Sequence, residues 1–328
     1  MKAEKKGVPV NLSVAGIVKK YGIYLVLLAM IIISAIISPN FLDSKNLMNI
    51  ARQISVTTII AFGQTLLIIC GMIDLSSGSV IALSGVLGVS VYMATGSLTF
   101  SLVAGVLIGA LTGLISGVFV TKYKMPPFIV TMAMQLVARG AVYLYTGGQP
   151  IYQIGDFKKL GQGSVGFLPI PVLFMILVAV CCWIILNRMR FGRYLYAIGG
   201  NEDASHASGI NVSSVKIQAF IVSGVFAGLA GVLLMSRLNA GLPQAGINYE
   251  FDAITAAIIG GTSFTGGIGT ASGTLVGAFI MGILNNILNL MNVQSYVQQI
   301  LKGAIIVAAV AIDISTKSKK SKSLKVSA

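Results

Sequence analysis

Few residues in this chain could do acid–base or metal chemistry. Its 328 residues include one histidine, His206, and nine carboxylates. A hydrolytic triad would have to use His206, which lies in the polar run GRYLYAIGGNEDASHASGI (192–210) with no nucleophile pocket in view. A histidine-rich metal site is excluded by count. Four carboxylates, Asp74, Glu250, Asp252 and Asp313, are spread along or beside apolar sequence. Three fall near the ends of apolar runs, where a solvated position is the ordinary expectation. No catalytic constellation, metal site or cofactor site is expected, and the chain reads as a non-enzyme.

The segment GGTSFTGGIGTASG (260–273) raises the question of nucleotide binding. A phosphate-binding loop needs G-x-x-x-x-G-K-[ST], and no lysine follows here. Gly267, Gly269 and Gly273 also miss the G-x-G-x-x-G spacing, so small residues that let helices approach closely account for them better. The amides say more. Asn285, Asn289 and Asn292 recur at i, i+4 and i+7 and share a helix face, with Asn286 beside them. Gln64, Asp74, Thr131, Gln135 and Arg139 are further polar groups in or near apolar runs. Two readings are open. The amides bond to one another across helices, or they line a hydrophilic path for a neutral polyhydroxyl solute, with Gln64, Asp74, Gln135, Asn285 and Asn289 on that path. An ion pump would carry more buried acids or histidines along its route, so their scarcity points to an uncharged cargo. Arg139 and Lys302 receive no partner from the sequence.

The elements that must position these residues are helices in a bilayer. The chain is 55% hydrophobic and 10% charged, against about 25% charged residues in an ordinary soluble domain. Its apolar residues come in charge-free blocks near the roughly 20 residues that cross a bilayer core. Ten spans are expected, at 21–38, 54–72, 78–95, 98–121, 127–146, 169–187, 215–236, 250–262, 271–291 and 297–313. The charged start runs straight into a full-length apolar block with no small-residue cleavage site, so no cleaved leader is expected. Cys70, Cys181 and Cys182 all fall inside apolar blocks and read as small core residues.

The net charge of +14 does not indicate nucleic acid, because of where it sits. Lys2, Lys5, Lys6, Lys19 and Lys20 precede the first span, and Lys317, Lys319, Lys320, Lys322 and Lys325 follow the last. By the positive-inside rule both termini are expected in the cytoplasm. Lys122, Lys124, Arg188, Arg190, Arg193 and Lys216 then fall on the same side, and Lys45, Arg52, Lys158, Lys159 and Arg237 on the other. The organisation expected is a cytoplasmic segment (1–20), one transmembrane domain (21–313) with a cytoplasmic loop at 188–214, and a basic tail (314–328). The breaks GMIDLSSGS (71–79) and 260–273 are either surface loops or broken helices buried at membrane depth. Their likeness to each other hints at an internal repeat, but the chain between them does not align, and no repeat is expected.

Three long stretches carry a resemblance. SPNFLDSKNLMNIARQISVTTIIAFGQTLLIICGMIDLSSGSVIALSG (38–85), FGRYLYAIGGNEDASHASGINVSSVKI (191–217) and YEFDAITAAIIGGTSFTGGIGTASGTLVGAFIMGILNNILNL (249–290) resemble the permease subunits of bacterial ABC importers for monosaccharides. ILNNILNL and VQSYVQQILKGAIIV are most similar to the ribose-transporting members. The resemblance implies an all-α permease of about ten transmembrane helices in the bacterial cytoplasmic membrane, with short or broken segments, forming a homodimer. It also implies a cytoplasmic ATPase that uses the ATP and an extracytoplasmic sugar-binding protein. Such permeases insert a short coupling helix, often marked E-A-A…G, into a cleft of the ATPase. Glu202, Asp203, Ala204 and Gly209 stand at those positions, Asp203 replacing the first alanine, with Arg193 tethering the loop. Asn201 can cap this helix and Gly209 can end it. Lys159, Arg237, Gln244, Glu250 and Asp252, in and beside the outer loops, are the expected contacts of the binding protein. An ion-coupled secondary carrier for a small neutral solute is the competing expectation, and it would need no ATPase.

Overall fold

The computed structural model describes the backbone of residues 14–326 and the side chains of residues 21–315. The lysines at 2, 5, 6, 19 and 20 and at 317, 319, 320, 322 and 325 lie outside those side chains, as do segment 1–20 and the tail from residue 316. The chain folds into α1 (Val14–Ile37), α2 (Ser44–Ile69), α3 (Ser77–Thr95), α4 (Leu98–Lys122) and α5 (Pro127–Thr146). A short helix α6 (Lys159–Gln162) and a ribbon of β1 (Ser164–Val165) paired antiparallel with β2 (Leu168–Pro169) follow. Then come α7 (Ile170–Arg188), α8 (Arg190–Gly200), α9 (Glu202–Ala207), α10 (Val212–Leu238), α11 (Tyr249–Ile259), α12 (Ala271–Leu290) and α13 (Ser295–Val326).

Among the described residues, eight helices are long and apolar enough to cross a bilayer, and Tyr21–Ile37 of α1 is a shorter apolar helix. This is an all-α integral membrane protein. Boundaries follow local chemistry. Asp43 accepts from Lys45 N to cap α2, Pro127 opens α5 at a position that needs no N–H, and Gly96 and Gly147 close α3 and α5 in the left-handed conformation. The eighth expected span, short already at 250–262, is an 11-residue helix, α11. At 1.5 Å per residue it covers about 16 Å of a roughly 30 Å core. It is a half-helix.

Backbone contact between α4 and α10 holds the bundle centre. Gly105, Gly109, Gly113 and Gly117 form one stripe on α4, and a Cβ on any of them would run into the backbone or side chains of α10 between Ile217 and Val232. Gly224 and Gly228 answer from α10, blocked in turn by Gly109 O and Gly105 O. Small residues are how helices gain packing energy where lipid is as apolar as leucine. α2 is enclosed over its last sixteen residues, every one from Ile54 to Ile69 being buried. Its polar residues are satisfied internally: Thr58 Oγ1 donates to Ile54 O at 2.7 Å, and Thr65 Oγ1 pairs with Thr274 Oγ1 of α12 at 2.6 Å. Of the cysteines, Cys70 and Cys182 are buried, but Cys181 is exposed on α7, since neighbouring residues sit about 100° apart around a helix and only one of the two faces the bundle.

The packing partners come in two matching sets. α10 lies against α3 and α4, while α3 also touches α5; α2 lies against α11 and α12, while α11 also touches α13. The likeness of the two breaks therefore has a structural counterpart that residue identity does not carry. Gly109→Leu should lower stability by about 1–3 kcal/mol through overpacking, read as thermal unfolding of the purified subunit in detergent. Gly140→Leu, with nothing within 4 Å of an added Cβ, should leave the transition in place; equal effects would contradict the stripe.

Candidate functional site

The polar groups inside the bundle gather where helices are broken. Gln64, fully buried, donates from Nε2 to Asp74 O at 2.5 Å and to Ser77 Oγ at 3.2 Å, and its Oε1 accepts from Asp74 N. Asp74 in turn accepts from Ser76 N at 2.8 Å and Ser76 Oγ at 2.6 Å, turning the chain into α3. Met72, Asp74 and Ser76 of the 71–76 break are buried, so the break turns into the protein beyond its exposed first residue, Gly71. Gln64 and Asp74 are engaged with the backbone they shape.

The 239–248 loop folds back to the start of α3. Gly246, at φ +77, packs on Gly78 O. Arg139, seven residues before the end of α5, donates through Nη1 to Pro243 O at 2.6 Å and Ala245 O at 2.9 Å, and through Nη2 to Gly78 O at 3.4 Å. Because the loop turns inward, α11 begins inside the bundle. This corrects two expectations about its first turn. Glu250 and Asp252 are 2% and 7% exposed, so neither is on a solvated rim that a partner can touch. Asp74, at 3%, is likewise not solvated. Gln135 Nε2 donates to Glu250 Oε1 at 3.3 Å. Lys302 Nζ of α13 lies 2.9 Å from Asp252 Oδ2, which Asn285 Nδ2 approaches at 3.4 Å. Glu250 Oε2 and Asn285 Oδ1 are enclosed with no hydrogen-bond partner.

The asparagine face divides. Asn285 and Asn286 are buried, whereas Asn289 and Asn292 are exposed. Asn286 Nδ2 donates to Asn46 Oδ1 of α2 at 2.8 Å, and Asn289 Oδ1 accepts from Gln298 Nε2 at 3.0 Å. α12 ends at Leu290, and Asn292 takes a positive φ of 54° beyond it, so the i+7 position no longer continues the face.

The polar run at 192–210 is mostly helical, as α8 and α9. Asn201 Oδ1 accepts from Ala204 N at 2.9 Å to cap α9, and Gly209 closes it at φ +81. Glu202 Oε1 is 2.7 Å from Lys216 Nζ of α10, so this carboxylate docks α9 on its own bundle. Asp203, Ala204, His206 and Gly209 are exposed, and Ser205 is buried. A cavity of about 570 Å³ separates α9 from the 121–127 turn, lined by Lys124, Pro126, Pro127, Asp203, His206 and Lys216 among others. Arg193 and Tyr194 are exposed rather than tied to the helix ends.

Tyr196 instead reaches the second break. Its hydroxyl donates to Gly269 O at 2.7 Å, and burial raises its pKa above the ordinary phenol value, which keeps it a donor. One turn on, a Cβ at Gly199 would run into Ile69 O, the last carbonyl of α2, and into Gly267 N. Gly267 N donates to that same Ile69 O at 2.8 Å. Asp313 Oδ2 of α13 accepts from Phe264 N at 3.0 Å and Ser263 Oγ at 2.9 Å across the break. The joint escaped the sequence reading, although the GG pair at 199–200 was its visible sign.

At the other end of the bundle, loops 147–163 and 239–248 meet through the Ile151–Gly241 bridge. Lys159 is exposed and pairs with Asp156 at 2.7 Å, which raises its pKa. Gln244 is exposed. Half-buried Arg237 shares a polar cavity of about 460 Å³ with Asn49, Arg52, Gln53 and Gln162.

Residues 46–310 match the family described as the permease component of the branched-chain amino acid transport system. The chain belongs to this permease family. It is 42% identical to the ribose import permease protein of Bacillus subtilis, over 91% of this chain and 94% of that one. It is 39% identical to the D-allose transport system permease protein of Escherichia coli, over 90% and 91%. The galactose/methyl galactoside import permease protein of the same organism is 36% identical over 90% and 94%. No solved structure matches the chain.

Arg139→Met should strip the donors from Pro243 O and Ala245 O, at about 1–3 kcal/mol for each buried carbonyl left open. Limited proteolysis should then cut the 239–248 loop, which stays intact in the unsubstituted permease. An uncut loop in the variant would mean that the guanidinium does not hold it.

Proposed function

We propose that this chain is the membrane permease of an ATP-driven ABC importer that moves a monosaccharide, ribose first among the candidates, into the cytoplasm. The carrying observation is the identity of 42% to a ribose import permease across 91% of the chain, joined by relatives named for allose and galactose. The family description names amino acids instead. We weight the near full-length relatives above that broad label.

In this reading both termini face the bacterial cytoplasm and the permease works as a homodimer. A cytoplasmic ATPase docks on α9, where Asp203 and His206 face the cavity beside the 121–127 turn. Its closure pushes α8, which bears on the end of α2 and on the 260–269 break through Gly199 and Tyr196. The break connects α11 to α12, and α11 carries Glu250 and Asp252 into the polar interior. A nucleotide-driven stroke on α8 thus reaches, through the break and α11, the buried carboxylates of the bundle. On the opposite end an extracytoplasmic sugar-binding protein meets Lys159, Gln244 and the Arg237 cavity.

The test is uptake of a panel of labelled sugars into proteoliposomes containing the permease, ATPase and binding protein. The expected result is ATP-dependent, binding-protein-dependent uptake with ribose preferred. Glu202→Lys, which sets a lysine against Lys216 across the α9–α10 contact, and Gly199→Val should each cut uptake at least tenfold while the subunit still inserts. Uptake by the permease alone, driven by an ion gradient, would replace this reading with a secondary carrier.

A further inference from the structure

The Asp252–Lys302 pair opens onto a cavity between α11 and α13. It has a volume of about 270 Å³, and its walls include Asn248, Phe251, Asp252, Gln299, Lys302 and Gly303. Lys302 is the eighth residue of α13, about 10 Å from the start of that helix, within the apolar stretch Ser295–Ser315. An ammonium and a carboxylate at such depth are too costly to leave against lipid, and such groups face a water-filled route or each other. Here they do both. The side chains pair at 2.9 Å, yet Lys302 remains 22% exposed.

The chemistry of the walls specifies the kind of guest. A sugar hydroxyl donates and accepts at once, so neighbouring hydroxyls can use an ammonium and a carboxylate together. The amides of Asn248 and Gln299 offer both functions again, and Phe251, 42% exposed, supplies an apolar face for the C–H side of a ring. The pair carries no net charge, which disfavours a charged guest. The volume lies near the lower end of ligand pockets, about 300 Å³. Asn285, from behind, holds the Asp252 carboxylate in position. We propose that this cavity is a binding station for a neutral monosaccharide along the transport route, with Asp252, Lys302 and Gln299 holding hydroxyls. The class of guest rests on the importer reading; the pairing of Asp252 with Lys302 at the cavity wall does not.

The experiment uses the full chain with Cys70, Cys181 and Cys182 replaced by serine, reconstituted in liposomes. Gln299→Cys should react with a charged, membrane-impermeant thiol reagent, while Ile300→Cys, 72% exposed on an adjoining face of the helix, should not. Saturating ribose should slow the reaction at Gln299→Cys at least fivefold, and leucine or inorganic phosphate should not. Adding Asp252→Asn with Lys302→Met, which removes both charges together and leaves no bare ion, should raise the ribose concentration for half-protection about tenfold. No reaction at Gln299→Cys would overturn the proposal, as would a reaction that none of ribose, allose and galactose slows. Because labelling of Gln299→Cys in the otherwise unchanged chain needs neither charge variant, a misfolded double variant does not remove the test. Protection without ATP-driven uptake would uphold the cavity and count against the importer reading; uptake without protection would do the reverse.

Discussion

Inside a bilayer, a backbone amide or carbonyl that leaves its helix has no water to bond with. This chain breaks its helices after α2 and after α11, and much of its unusual polar chemistry answers that constraint. Gly267 N closes the end of α2 at Ile69 O. Gln64 bonds both the amide and the carbonyl of Asp74. Arg139 serves two carbonyl oxygens of the inward-folded 239–248 loop and a third, Gly78 O, at the start of α3, and Asp313 receives the amide of Phe264. Each is a polar side chain or glycine whose removal would strand a backbone group at a cost of about 1–3 kcal/mol.

The same constraint explains how motion can pass through an apolar protein. A helix pair packed through apolar side chains can slide, but a carbonyl satisfied by one particular amide fixes two segments in register. α8 meets such a joint: Gly199 lies against Ile69 O and Gly267 N together, so displacement of α8 strains the ends of α2 and the break at once. Tyr196 adds a second bond to the break at Gly269. Displacing α8 therefore loads the joint at which Gly267 N closes the end of α2.

Much of this was legible in the sequence. The long apolar blocks declared their helices because burial in lipid needs only length and composition, and the ends of α4, α5 and α12 fall within a residue of where charge, proline and glycine place them. The capped helix at 202–207 was visible in Asn201 and Gly209 because capping is local. What the chain concealed was non-local. Glu250 and Asp252 look like rim residues beside a loop, and only the inward fold of that loop buries them. Lys302 looks like a stray charge until α13 sets it against Asp252. Asn285, Asn289 and Asn292 form a face only while the helix lasts, and α12 stops before the third. The doubled pattern of packing partners leaves almost no trace in residue identity, since small-on-small contacts can be made by many sequences.

Hydrogen–deuterium exchange of the reconstituted permease tests the central claim most directly, that the breaks are closed by specific hydrogen bonds and joined to α8. Peptides covering 71–77 and 260–269 should exchange at the slow rate of the buried α2, far below the loop at 147–154, despite their glycine and serine content. In the Gly199→Val variant the 260–269 peptide should become fast while α4 and α10 stay protected. Fast exchange of both breaks in the unsubstituted protein, or an unchanged 260–269 peptide in the variant, would contradict the account.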